Sequence, residues 1–250
     1  MTMLPEEEEL SRLELEQANL QDQVASGETM LETIKSESLR FQHRYFEVVG
    51  HLYAQLDELD AHIARLELSR KPHNLETKAK ARDATQRARD SEAELDRFRS
   101  KSMIREISPA LKQSYRHAVK LMHPDLATTE HERRRRTELI TMLNLAYERG
   151  DKDAIDNLID LNQRDPEAIL GEDTGSRIVR AIRRVAQLRR RLTELSCELE
   201  AHQQTEIFRL KETTESTEAR GLDPLADVAK RLRAIISQRE ATIKSRFAGP

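Results

Sequence analysis

The sequence predicts an all-α protein in which long coiled-coil helical hairpins flank a small helical module. Three observations carry that reading. Only 7 Gly and 7 Pro occur in 250 residues while 35% are charged, 4% aromatic and none Trp, a composition of long solvated helices more than of one large core. Apolar residues recur at heptad spacing for many turns from Leu10 onward. Between residues 106 and 162 the pattern shortens into brief stripes bounded by capping residues.

Alternate steps of three and four from Leu10 reach Leu13, Leu20, Val24, Leu31, Ile34, Phe41, Tyr45, Val48, Leu52, Leu59 and Leu66. Gln17, Gly27, Ser38, Gln55 and His62 are the other members of the seam, and no proline interrupts it. One helix of roughly 60 residues and about 90 Å is expected, with Gly27 and Gly50 as weak points. Pro72 stops it, and a second helix from about Leu75 to Arg105 folds back with the small-residue seam Ala81, Ala84, Ala88, Ser91, Leu95, Phe98 and Ser102.

This return helix is too short to cover the seam from Leu10 to Ile34. Ile178, Ala181, Val185, Leu188, Leu192, Leu195 and Leu199 offer a second apolar stripe of the same spacing. Gly221 then closes a helix and Asp223-Pro224 opens the last, with Leu225, Val228, Leu232, Ile235 and Ile236 inward. Such a C-terminal hairpin covers the N-terminal arm of its own chain or leaves that arm to a second copy in a homodimer. The expected segments are an N-terminal hairpin over 1–105, a compact module over 106–162 and a C-terminal hairpin over 163–250.

In the module, Ser108 is an N-cap and Pro109 a first helical residue, followed by the stripe Leu111, Tyr115, Ala118, Val119 and Met122. Lys112, Arg116 and Lys120 form a basic ridge, with Gln113 and His117 nearby. Pro124 forces His123 out of the helix, leaving a short exposed corner at His123-Pro124-Asp125. Thr129 and Glu132 have capping-box spacing, Leu139, Ile140, Leu143, Ala146 and Tyr147 face inward, and Gly150 and Asp151 separate this helix from one carrying Ile155, Leu158 and Ile159.

"LKQSYRHAVKLMHPD" followed by "ITMLNLAYE" resembles the J domain of DnaJ-type co-chaperones: a helix II with a Tyr-Arg pair and basic face, a His-Pro-Asp loop and a helix III with an Asn-x-Ala-Tyr pattern. The resemblance spans about residues 104 to 161. It implies that His123, Pro124 and Asp125 contact the ATPase domain of a DnaK-type heat-shock chaperone, while Lys112, Arg116 and Lys120, flanked by Gln113 and His117, meet its acidic surface. The Tyr and Leu pattern of the family's first helix is replaced here by "LDRFRSKSMIREIS", so Leu95, Phe98, Met103, Ile104 and Ile107 are expected to substitute for it. The zinc-binding cysteine repeats and Gly/Phe-rich linker of fuller relatives are absent. The arrangement is similar to that of members that use a J domain beside an unrelated partner-binding module, and its long flanks resemble those of uncharacterised bacterial J-domain proteins; here the coiled coils are expected to recruit a client or to oligomerise.

Charge adds a second constraint. Residues 1–70 carry six Lys/Arg against fifteen Asp/Glu, residues 71–150 eighteen against twelve, and residues 151–250 eighteen of each. An acidic arm beside a basic middle suggests compensation within the chain. Arg133 to Arg136 and Arg177, Arg180, Arg183, Arg184, Arg189, Arg190 and Arg191 open a nucleic-acid reading, but no aromatic residues are interleaved for stacking, and pairing with the acidic arm is the simpler expectation.

Cys197 is the single cysteine and reads as a packed small residue; the histidines lack metal-ligand spacing, and no catalytic or cofactor motif occurs. No enzyme, metal or cofactor is expected. Without a basic-apolar leader in "MTMLPEEEEL" or a membrane-length apolar run, a cytoplasmic chain is expected. The leading expectation is a J-domain co-chaperone; a coiled-coil scaffold with a purely structural module is the rival.

Overall fold

A computed structural model describes residues 4–99, 107–127, 129–163 and 174–247, and among the described residues the chain is all-α with no strand. The helices are α1 (Pro5–Tyr45), α2 (His51–Arg70), α3 (Leu75–Arg99), α4 (Pro109–Met122), α5 (Glu130–Glu148), α6 (Lys152–Gln163), α7 (Thr174–Gln203), α8 (Glu206–Glu218) and α9 (Pro224–Phe247). They pack as two units, Met1–Glu37 with Met103–Thr205 and Ser38–Ser102 with Glu206–Pro250. Packing thus groups the chain across the segments 1–105 and 163–250, dividing α1 and separating α7 from α8.

In the unit built on α2, the alanine seam works as its residue sizes demand: Ala61 meets Ala84 and Ala88, and the Ser91 hydroxyl donates to Asp57 at 2.5 Å. The turn into α3 is held by Asn74, whose side chain accepts from the Glu76 and Thr77 amides. On another face, Phe41, Val49 and Leu52 pack with Leu225, Ala229, Leu232 and Ile236. Arg44 of α1 pairs with Glu218 of α8, while Asp60 with Arg239 at 2.8 Å and Arg70 with the Arg246 carbonyl follow in ascending order, setting α9 parallel to α2. Ile235 is 38% exposed, contrary to expectation, and the buried stripe of α9 is Leu225, Ala229, Leu232 and Ile236.

The long N-terminal seam does not keep one register. A π turn at Phe46–Gly50 separates α1 from α2, and its extra residue rotates all later side chains by about 100°. Val49 is buried where Val48 was expected, and Gln55 and His62 lie exposed while Ala61 is buried.

In the other unit, Leu111, Tyr115, Ala118, Val119 and Met122 of α4 meet Leu143, Ala146 and Tyr147 of α5 and Ile155 and Ile159 of α6. Ser108 accepts from the Leu111 amide, Thr129 from that of Glu132 and Asp151 from that of Ala154. Gly150, at φ 69°, closes α5 with its amide on Tyr147 and that of Asp151 on Ala146. Of the residues expected to stand in for a first helix, Ile107 joins this core; Leu95 lies in the unit of α2, and Met103, Ile104 and the side chain of Phe98 are outside the described residues. Ala25 of α1 enters the core instead.

The stripe on α7 covers the arm of its own chain. Leu20, Val24 and Leu31 pack with Val185, Leu188 and Leu195, and Arg177–Glu14 (2.7 Å), Arg189–Glu16 and Arg191–Glu28 (2.8 Å) follow in ascending order, so α7 runs parallel to α1. Cys197, expected to be packed, is exposed on this helix.

Candidate functional site

Pro124 ends α4 by its effect on the preceding residue: His123 takes φ −59° and ψ 135°, outside the helical region. Its amide still bonds Val119, and a single 3₁₀ turn, Pro124–Leu126, follows with the Leu126 amide on the His123 carbonyl and the Ala127 amide on that of Pro124. The Asp125 amide donates to His123 Nδ1 at 3.2 Å, which leaves the ring proton on Nε2 in the neutral tautomer. Asp125 Oδ2 lies 3.5 Å from the same nitrogen. The corner is therefore folded on itself.

It is also covered. His123 is 8% exposed, and its Nε2 faces Glu28 Oε1 of α1 at 3.4 Å. That carboxylate receives Arg191 of α7 at 2.8 Å, and Arg191 reaches on to Glu198 at 2.7 Å. Burial would raise the Glu28 pKa, but the His123 hydrogen bond and the Arg191 charge outweigh it and hold the carboxyl below its usual range. Arg184 donates to the Leu126 carbonyl at 3.3 Å and Arg136 to that of Leu121 at 2.9 Å. Burial, then the charges of Arg180 and Arg136, lower the Arg184 pKa. The corner expected to be exposed is partly covered, His123 buried and Pro124 and Asp125 half-buried, because α1 contributes Glu28 and α7 contributes Arg184 and Arg191 beside it.

The basic ridge divides. Lys120 and Arg116 both face Asp22 of α1, Lys120 in a close ion pair and Arg116 at 3.9 Å; the Lys120 hydrogen bond is the main reason the Asp22 carboxyl titrates lower than usual. Lys112 lines a cleft with Arg116, Gln113 and, from α1, Met30 and Ile34. Gln113 also reaches a second cleft, which His117 lines together with Asp156 and Asp160 of α6. So His123, Arg116 and Lys120 share the face toward α1, and His117 lies on another side.

Tyr115, Asn144 and Tyr147 hold this frame. The Tyr115 hydroxyl donates to Asn144 Oδ1 at 2.7 Å, its ring packs on Tyr147 at 4.3 Å between centroids, and the Tyr147 hydroxyl meets Thr33 Oγ1 at 2.7 Å. Burial, followed by the nearby Glu32 and Glu28 charges, pushes the Tyr115 phenol well above its ordinary pKa.

Asp22, Glu28, Arg184 and Arg191 are the site residues that local pattern did not single out for this role. For Arg184 and Arg191 the available signal was the arginine cluster expected to pair with the acidic arm, and for Asp22 and Glu28 the arm's acidity, with Glu28 standing beside the apolar seam. Among the described residues no group of three or more His, Cys, Asp or Glu is placed to hold a metal ion, and no described helix is long and apolar enough to cross a membrane. No protein-family model, curated protein or solved structure significantly matches the chain.

Proposed function

We propose that the chain is a J-domain co-chaperone, in which the His123-Pro124-Asp125 corner and the ridge of Lys112, Arg116 and Lys120 stimulate ATP hydrolysis by a DnaK-type chaperone, the surrounding helices serving to recruit a client. The observation that carries this reading is the closed α4–α5 pair: two helices locked through Tyr115, Asn144 and Tyr147 with the proline-fixed corner between them and cations leading to it. A corner preset by proline lowers the entropy cost of engaging a partner, and a basic helix face speeds encounter with an acidic one.

The burial of His123 favours a second reading, a scaffold in which the module is purely structural. Single-turnover ATP hydrolysis by a DnaK-type chaperone separates the two. Stimulation by the wild-type protein is expected to vanish with His123→Gln and with Asp125→Asn, whose side chain is 23% exposed and is not part of the core. Helicity by circular dichroism should stay unchanged. No stimulation by the wild-type protein would sink the co-chaperone reading, and stimulation that survives both substitutions would take the corner out of it.

A further inference from the structure

We infer that α1 is a built-in inhibitor of the corner, its carboxylates occupying in cis the groups that an acidic partner would need. The inference rests on the co-chaperone reading and concerns the regulation of that site.

The first ground is chemical identity. A partner recognised by Lys120, Arg116 and His123 must present carboxylates to them, and α1 already does: Asp22 takes the two cations, Glu28 the imidazole Nε2–H. With His123 buried beneath Glu28, an acidic partner helix and α1 cannot occupy this face together.

The second ground is the character of the interface. Where α1 passes the module it buries Glu28, Glu32, Thr33 and Ser36, with Ala25 as its apolar anchor in the core. A helix held by carboxylates and hydroxyls regains hydration when it leaves, so opening costs less than parting a purely apolar seam. The apolar residues Leu20, Val24 and Leu31 face α7 instead, so α1 and α7 are able to part from the corner while keeping their mutual seam.

The third ground is charge. The Asp22 side chain is half exposed, so an acidic surface arriving from solvent can compete directly for Lys120 and Arg116 before Glu28 is displaced. Partner binding and opening of α1 are then linked, and the fraction of closed protein sets the apparent affinity.

The test is the double variant Asp22→Asn/Glu28→Gln, which keeps shape and removes both charges. Hydrogen exchange at the amides of residues 120–127 should become faster than in the wild type, and half-maximal stimulation of chaperone ATPase should need roughly tenfold less protein. His123→Gln placed in the same background should abolish that gain. Stimulation equal in wild type and double variant overturns the cover but leaves the co-chaperone reading standing, as does unchanged exchange over 120–127 with stimulation present. Faster exchange with no stimulation from either protein overturns the co-chaperone reading, and the inhibitor with it.

Discussion

Glu28 shows how one side chain links the packing of the corner to its electrostatics. It is a buried carboxylate with two donors, His123 from the end of α4 and Arg191 from α7, and Arg191 is itself shared with Glu194 and Glu198. Replacing Glu28 by Gln leaves Arg191 still served by Glu194 and Glu198, so the expected cost is about 2 kcal/mol, below that of stranding a wholly buried charge. The pH dependence has a definite sign. Because the folded-state pKa of Glu28 lies below the ordinary 4.5, its contribution is full above that value and is lost as acidification carries the pH down through the folded pKa. Urea unfolding of wild type and Glu28→Gln should differ by a constant amount near neutrality, and the gap should narrow below about pH 4.5. A gap that widens on acidification would refute the assignment. At this scale the sequence was a partial guide: Tyr115, Asn144 and Tyr147 follow a local spacing, whereas Glu28 acquires its role from residues 95 and 163 positions away.

Among elements, those with local chemical instructions were legible. Asp223 caps α9 through the Ala226 amide, and Gly221, at φ 80°, lets the Leu222 amide reach the Thr217 carbonyl. The break between α7 and α8 carries no Gly or Pro; Thr205 bonds back to the His202 carbonyl, and nothing in the local pattern announces it. The π turn is the other case, since heptad counting assumes that no residue is inserted. Gly50 marks it: a Cβ there would lie 2.4 Å from Phe46 Cδ1 and 3.2 Å from Cγ, against a rigid ring. In an ordinary solvated helix Gly→Ala gains about 1 kcal/mol. Here Gly50→Ala should instead lower stability by about 1 kcal/mol or more, because the Phe46 ring must leave its place. A rise in thermal midpoint on that substitution would show that the turn relaxes freely to α-helix.

At the scale of the whole chain, periodicity identified the apolar faces but could not name their partners, since any two heptad stripes of similar length are compatible in sequence. Leu20, Val24 and Leu31 are covered by Val185, Leu188 and Leu195 of the same chain, which removes the strongest physical motive for this arm to seek a second copy. Even Gly27 fits this pairing, since a Cβ there would come within 3.1 Å of Leu195 Cδ1. Light scattering of the full chain should therefore give one species near 28.9 kDa across a range of concentrations. Deleting residues 1–37 strips the cover from Val185, Leu188 and Leu195 and takes Ala25 from the core of the module. The truncated chain should associate as concentration rises and melt lower than the full chain, because exposed apolar stripes on a helix are satisfied by another copy. The reverse outcome, a dimeric full chain and a monomeric truncation, would mean that α1 serves a neighbour in trans, and the covering of His123 by Glu28 would then be an event between two molecules.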